Sequence, residues 1–270
     1  EAVISVPAYF HDEQRVAVKR AGALAGIHVE RIVNEPSAAA LASYFTRNEE
    51  QNMLVFDFGG GTLDVSLVDC FDTMVEIVSV AGNNRLGGDD FDRLIAEHFL
   101  REHGVARQQL RAQEYAVLLK QAERCKKLLS EQDEVVMHAT VGDQLYESTY
   151  TMDRLFEESK ALLKEIRQVI GRALKDGKMT IHDVDLVVMA GGSSKMPLIQ
   201  KYIRHLFHKA PMVQGNCDEL IALGLGLVCG VKERKEEIKD YILTDICPFS
   251  LGVATINEAD PDRAYMANII

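Results

Sequence analysis

The sequence has no tryptophan, six prolines, and no apolar run approaching the ~20 residues that a membrane-crossing helix needs. It also lacks any low-complexity tract, which excludes a fibrous or linker-like chain. Cations are scarce: 30 Lys and Arg stand against 41 Asp and Glu, a formal charge of -11. That balance argues against nucleic acid as a main partner, because phosphate backbones are held by basic surfaces. Five cysteines (Cys70, Cys125, Cys217, Cys229 and Cys247) form no CxxC pair and are odd in number. They are expected to be reduced thiols packed in a core, and the protein to be cytoplasmic, without a membrane partner. A signal-peptide pattern is missing too. The opening Glu1-Ala2-Val3-Ile4-Ser5-Val6-Pro7 already reads as a strand, so the 270 residues are expected to be a fragment.

What is present is α/β patterning. After the first strand, Asp12-Glu13-Gln14-Arg15 opens a helix to about Ala25, stopped by Gly26. Val29 to Val33 is a strand and Pro36 to Phe45 a helix. Met53 to Asp57 is a continuous apolar run of a buried sheet, followed by strands at Thr62 to Val68 and Val75 to Val80. Helices are expected at Gly88 to Glu102, Arg107 to Ser130, Asp153 to Lys175, Pro197 to Phe207 and Asp218 to Lys232. A hairpin spans Glu134 to Thr151, and Val184 to Met189 is another buried strand. The order implies an α/β lobe with an inserted α+β unit at 88–184.

The most informative segment is Asp57-Phe58-Gly59-Gly60-Gly61-Thr62-Leu63-Asp64. Three successive glycines weaken a sheet unless something must approach the backbone closely, and their N–H groups can form an anion-binding concavity. Period two places Thr62, Asp64 and Ser66 on one face. A carboxylate where strand meets turn suits Mg²⁺, which takes oxygen ligands and keeps several waters. The plainer alternative is a hairpin whose glycines only satisfy turn geometry.

Two helices are rich in small residues. Asn34-Glu35-Pro36-Ser37-Ala38-Ala39-Ala40 starts one, with Pro36 at the first helical position and Ala38 and Ala42 four apart. The other carries Ala222, Gly226 and Gly230 at the same spacing, with Gly224 between. Helical glycines cost ~1 kcal/mol each against Ala, which a close helix crossing explains. Glu35 alone could be a capping carboxylate. Glu123, Lys126, Lys127 and Ser130 form one polar stripe, which by itself is usually a solvated face. Ala190-Gly191-Gly192-Ser193-Ser194-Lys195 is a strand-to-helix turn. His205 and His208, at i and i+3, lack a third metal ligand.

Together these segments resemble, in consistent order over nearly the whole chain, the heat-shock protein 70 family of actin-like ATPases. The resemblance implies an actin-like ATPase (ribonuclease H-like) α/β fold, here the second lobe plus part of the first. Its domains would be 1–45, the end of the first lobe with a connecting helix; 46–87 and 185–237, the core of the second lobe; and 88–184, its insert. An interdomain linker would follow at 238–248, and the start of a substrate-binding β-sandwich at 249–270. The first phosphate loop would lie upstream of Glu1. By the resemblance Asp57 holds Mg²⁺ through water with Glu35 at the hinge, Thr62 meets the γ-phosphate side and Asp64 positions the attacking water. Gly59, Gly60, Gly61, Gly87 and Gly88 would line the phosphates. Glu123, Lys126, Lys127 and Ser130, with Gly191, Gly192, Ser193, Ser194, Lys195 and Asp218, would hold adenosine. Lys127 stands where Arg is usual, which weakens stacking on the purine. The implied partners are ATP or ADP with Mg²⁺, a J-domain co-chaperone near Tyr9, Asp12 and Arg31, a nucleotide-exchange factor, and unfolded peptides held by a further domain. The implied activity is ATP hydrolysis coupled to peptide binding in the intact protein, weak or absent in the fragment. A nucleotide-sensing module without turnover and a filament-forming or kinase relative are the competing classes.

Overall fold

The computed structural model describes residues 1–270 except 48, 143, 214–216, 237, 239, 247–251, 258, 259, 269 and 270. The chain begins β1 (Ala2–Val6), α1 (Asp12–Leu24), β2 (Val29–Asn34), α2 (Glu35–Arg47), β3 (Gln51–Phe58), β4 (Leu63–Phe71) and β5 (Met74–Asn83). Helices α3 (Gly88–Glu102) and α4 (Ala112–Leu128) precede a hairpin of β6 (Glu134–Val141) and β7 (Gln144–Thr151). Then come α5 (Met152–Glu158), α6 (Lys160–Asp176), β8 (Leu186–Ala190), α7 (Pro197–Phe207), α8 (Leu220–Lys232) and β9 (Ile242–Thr244). A last antiparallel pair, β10 (Gly252–Asn257) and β11 (Asp260–Asn268), closes the chain. Of the β-sandwich start expected at 249–270, residues 249–251, 258, 259, 269 and 270 lie outside the described ones, as do Cys247 and Pro248 of the expected linker.

Five strands make one mixed sheet in the order β8-β3-β4-β5-β9, antiparallel through β3, β4 and β5 and parallel at both edges. Helices cover both faces, which is why Met53 to Phe56 of β3 is a continuous apolar run rather than an alternating one. Leu54, Phe56 and Phe58 join Leu63, Val65 and Leu67 in the core that also takes in α3, α4, α6 and α7. Met53, Val55, Val68 and Cys70 face the other way, onto α2 and α8. Strand parity then fixes the chemistry. Asp57 follows Met53 and Val55 onto the α2 face, and Asp64 sits directly opposite it in the β3–β4 register. No helix among the described residues is long and apolar enough to cross a membrane.

Three elements differ from their expected form. The helix expected over Asp153 to Lys175 is two helices, broken at the buried Ser159, whose hydroxyl donates to the Phe156 carbonyl oxygen at 3.1 Å. A short polar side chain that bonds its own backbone competes with helix continuation. The helix expected from Arg107 starts at Ala112, after a 3₁₀ turn at Arg107–Gln109 and an extended, buried Leu110. The helix crossing is real, but its small residue is Gly224, flanked by buried Leu220 and Val228; Ala222 and Gly226 are exposed.

A Cβ on Gly224 would lie 1.9 Å from the Ala38 carbonyl oxygen, whereas one on Gly226 would meet nothing within 4 Å. Gly224→Ala should therefore destabilise the fold by about 2 kcal/mol or more in urea unfolding, overpacking outweighing the better helix former. Gly226→Ala should stabilise it by about 0.5–1 kcal/mol. Equal effects from the two substitutions would place the crossing elsewhere.

Candidate functional site

The turn between β3 and β4 is closed by Gly59, whose N–H donates to the Thr62 carbonyl oxygen at 3.0 Å. The start of α3 clamps it from outside. Gly88 N–H donates to the Gly59 carbonyl oxygen at 3.0 Å and Asp89 N–H to that of Gly60 at 2.8 Å. The approach is close enough to demand glycine, since a Cβ on Gly87 would sit 2.2 Å from the Gly60 oxygen. Gly61 has nothing within 4 Å of its Cβ position, so the mouth of the turn is open to approach.

Beneath this turn three carboxylates converge. Asp57 ends β3, Asp64 begins β4, and Glu35 opens α2. Asp64 is only 4% exposed, and its Oδ1 is buried without a hydrogen-bond partner. Burial pushes Asp57 up to about 6. Burial first, and then the charge of Asp57, raises Asp64 to about 7. Glu35 rises to about 7 through burial and then through Asp57 and Asp64, offset in part by a hydrogen bond from Ser5. Desolvated carboxylates that repel one another call for a counter-cation, and an all-oxygen donor set suits a hard one. Among the described residues no three His, Cys, Asp or Glu side chains sit close enough to chelate a metal directly. An all-oxygen donor set fits a hard ion such as Mg²⁺, which usually keeps several of its waters.

A cleft of about 540 Å³ opens beside the glycine turn. Gly60, Glu123, Lys126, Lys127, Ser130, Gly192, Ser193, Lys195 and Asp218, each singled out from sequence, line it. Asp89 and Met196 line it too and were missed, although Asp89 follows the Gly87-Gly88 pair directly and Met196 follows Lys195. Two ion pairs stand on its walls, Glu123 with Lys127 at 2.7 Å and Asp218 with Lys195 at 2.5 Å. Lys126 is already committed: its ammonium donates to the Gly88 carbonyl oxygen at 2.8 Å and lies 2.8 Å from Asp92. Ser194 is buried and its hydroxyl turns back to the Gly191 carbonyl oxygen, away from the cleft. Gly191 has φ +78, and a Cβ there would lie 2.6 Å from Asp57 Oδ1, so it is the floor under that carboxylate. Gly88 abuts Ser193 in the same way, its Cβ position 2.2 Å from Ser193 Oγ.

Tyr9 reaches the sheet, donating to the Val80 carbonyl oxygen at 3.2 Å, with its ring 3.1 Å from the Cβ position of Gly82 beside Asp64. Asp12 and Arg31 are exposed, on α1 and β2. The segment after α8 is tied to the same region. Ile242–Thr244 pairs in parallel with Met74 to Glu76. The Tyr241 ring lies against Tyr44 and Phe45, at centroid distances of 6.1 and 5.9 Å. Asp245 Oδ2 accepts from Asn34 Nδ2 at 2.8 Å and Ser37 Oγ at 2.7 Å, the residues bracketing Glu35-Pro36. Arg15 donates to Asn34 Oδ1 at 2.7 Å.

The family model described as Hsp70 protein matches residues 1–264. The chain is 40% identical over 266 residues to "Chaperone protein dnaK3" of Thermosynechococcus vestitus, covering 95% of this chain and 39% of that protein. It is 38% identical over 268 residues to the "Stromal 70 kDa heat shock-related protein, chloroplastic" of Pisum sativum, covering 95% and 37%. To "Heat shock 70 kDa protein 7, chloroplastic" of Arabidopsis thaliana it is 39% identical over 268 residues, again covering 95% and 37%. The chain thus spans less than half the length of these relatives. Two of them are named as chloroplastic, which corrects the cytoplasmic expectation. Cys70, Cys125, Cys217 and Cys229 are free, but free thiols do not identify a compartment.

The raised carboxylates make a pH prediction for the ligand-free protein. Asp64 starts from 3.8 and Glu35 from 4.5, so between those values and about 7 the folded chain holds protons that the unfolded chain has released. Stability falls as pH rises through that window. Asp64→Asn should stabilise the protein by roughly 1–3 kcal/mol at about pH 8 in EDTA, a gain that disappears near pH 4. Thermal unfolding at both pH values measures it, and a gain independent of pH would contradict the assignment.

Proposed function

The chain belongs to the Hsp70 family, and from that premise we propose that it forms much of the ATP-binding part of a molecular chaperone, in which nucleotide state controls peptide binding elsewhere in the protein. The observation that carries this reading is the set of three desolvated carboxylates, half-buried Glu35 and Asp57 and buried Asp64, behind a glycine turn that opens onto a cleft of about 540 Å³. Phosphoryl transfer asks a protein mainly for positioning and charge stabilisation, and these groups provide both.

In this reading Asp57 and Glu35 would hold a Mg²⁺ through water, and the ion would supply positive charge to neutralise the phosphates. Gly59, Gly60 and Gly61 bring backbone close to the phosphates, with Thr62 on the γ side and Gly87 and Gly88 behind. Asp64, raised to about 7, can orient an attacking water and take a proton from it near neutral pH. The adenosine lies along Glu123, Lys127 and Ser130, against Gly192, Ser193, Lys195 and Asp218. Lys127, paired to Glu123, offers a point charge where a planar guanidinium would stack, so purine affinity is lower than with Arg. Gly191 and Ser194 shape the site, while Lys126 lines the cleft with its ammonium held by Asp92 and the Gly88 carbonyl oxygen.

Coupling runs through Asp245. Its bonds to Asn34 and Ser37 join the segment after α8 to the turn that carries Glu35, so docking of that segment and placement of Glu35 are linked. We assign 88–184 as the insert of the second lobe, 238–248 as the linker, and 249–270 as the start of the peptide-binding domain. The exposed Asp12 and Arg31, with Tyr9 behind, form the surface offered to a J-domain partner. A nucleotide-exchange factor acts on the same cycle.

Calorimetric titration of ADP into the chain, with and without Mg²⁺, tests both parts. Mg²⁺ should tighten binding to the unchanged protein, and Asp57→Asn should lose at least ~10-fold of that gain, about 1.4 kcal/mol. Asp245→Ala should abolish any nucleotide-dependent change in hydrogen exchange over 242–244. A Mg²⁺ effect that survives Asp57→Asn would remove Asp57 from the site. Nucleotide-dependent protection of 242–244 that survives Asp245→Ala would remove the coupling.

A further inference from the structure

A second cleft, about 610 Å³, opens between α5, α6 and α7, away from the glycine turn. It follows from helix periodicity. Lys160, Lys164 and Arg167 fall at i, i+4 and i+7 on α6, and Leu198, Lys201, Tyr202 and His205 at i, i+3, i+4 and i+7 on α7. Met152 and Phe156 supply one face of α5. The floor is apolar: Leu163 and Leu198 are buried, and Tyr202 donates its hydroxyl to the Leu163 carbonyl oxygen at 3.0 Å, holding α6 to α7. Phe156 flanks this floor with 45% of its surface exposed.

The rim has the opposite character. Lys164, Arg167 and Lys201 have no ion pair among the described residues. Lys160 is matched by Glu157 at 2.5 Å, and Asp153 is the carboxylate in the lining. On a chain of formal charge -11, three unmatched cations around one apolar floor are a local reversal of sign. Exposed apolar surface rimmed by polar groups marks interaction sites, and charge complementarity selects the partner.

We propose that this cleft docks an acidic peptide segment of a partner protein. The segment lays a large apolar side chain on Leu163, Leu198 and Tyr202, beside Phe156, and sets carboxylates against Lys164, Arg167 and Lys201. The apolar anchor supplies most of the affinity, and the rim charges set orientation and association rate. A basic segment would meet unscreened like charge on three sides.

Fluorescence anisotropy with three labelled peptides tests this. One carries Leu and Phe at helical spacing among Asp and Glu; the second replaces each acid with Lys; the third replaces each Leu and Phe with Ala. The first should bind, with affinity falling as salt rises, and the others at least ~10-fold more weakly. The double variant Lys164→Glu, Lys201→Glu should weaken the first peptide at least ~10-fold while its circular dichroism and ADP affinity stay unchanged. Should that variant fail to fold, Phe156→Ala, a trim of a half-exposed ring, should give a similar loss. No binding of the first peptide, equal binding of all three, or indifference to both variants overturns the proposal. So does sedimentation showing that copies of this chain, rather than the peptide, fill the cleft.

Discussion

Three carboxylates crowded behind a glycine turn are the constraint around which this molecule is arranged. An isolated buried charge is costly, and like charges near enough to raise one another's pKa are worse. Asp57 and Asp64 face each other because the β3–β4 register pairs them and strand parity turns both toward α2. Glu35 arrives because α2 begins there. The surrounding glycines serve this geometry. Gly191 and Gly82 leave room for the carboxylates of Asp57 and Asp64, and Gly87 lets α3 clamp the turn. The fold keeps the cluster although it lowers stability at neutral pH, the pattern expected where function opposes stability.

That cluster is also where distant parts of the chain meet. The crossing of α2 over α8 at Ala38 and Gly224 fixes the helix that carries Glu35. The residues either side of Glu35-Pro36, Asn34 and Ser37, bind Asp245, while β9 adds a strand at the edge beside β5. A change at the Glu35 end of α2 therefore has a short, hydrogen-bonded route to the segment that follows α8. The route uses only side chains whose partners are visible in the structure.

Much of the architecture was legible from periodicity. The helices Gly88–Glu102 and Pro197–Phe207 and the Glu134–Thr151 hairpin carry clear patterns with strong flanking signals, and they form over those residues. Boundaries failed where a tertiary contact overrode pattern. Ser159 breaks a helix because its hydroxyl finds a backbone oxygen, and Leu110 is extended because it is buried. The helix crossing was read from spacing, yet three candidate glycines in one helix cannot be ranked until the partner helix is placed. In the cleft, the family resemblance rather than residue type brought Glu123, Lys127, Ser130, Ser193, Lys195 and Asp218 together across about a hundred residues of chain. Burial could not be read the same way, so Ser194 was grouped with them although its hydroxyl is turned away. Nothing in the sequence singles out the two unmatched cations of α6 and the third on α7, and only the packing of α5, α6 and α7 shows them sharing a cleft.

The central claim is that Glu35, Asp57 and Asp64 form one desolvated, mutually repelling cluster that a cation relieves. Carbon-13 NMR of the labelled side-chain carboxyls, titrated against pH with and without Mg²⁺ and ADP, addresses it directly. All three should ionise well above the ordinary carboxylate range in the free protein, with midpoints near 7, about 6 and about 7, and should move down together when Mg²⁺ and ADP are added. Ordinary midpoints in the free protein, or midpoints unmoved by Mg²⁺ and ADP, would contradict the account.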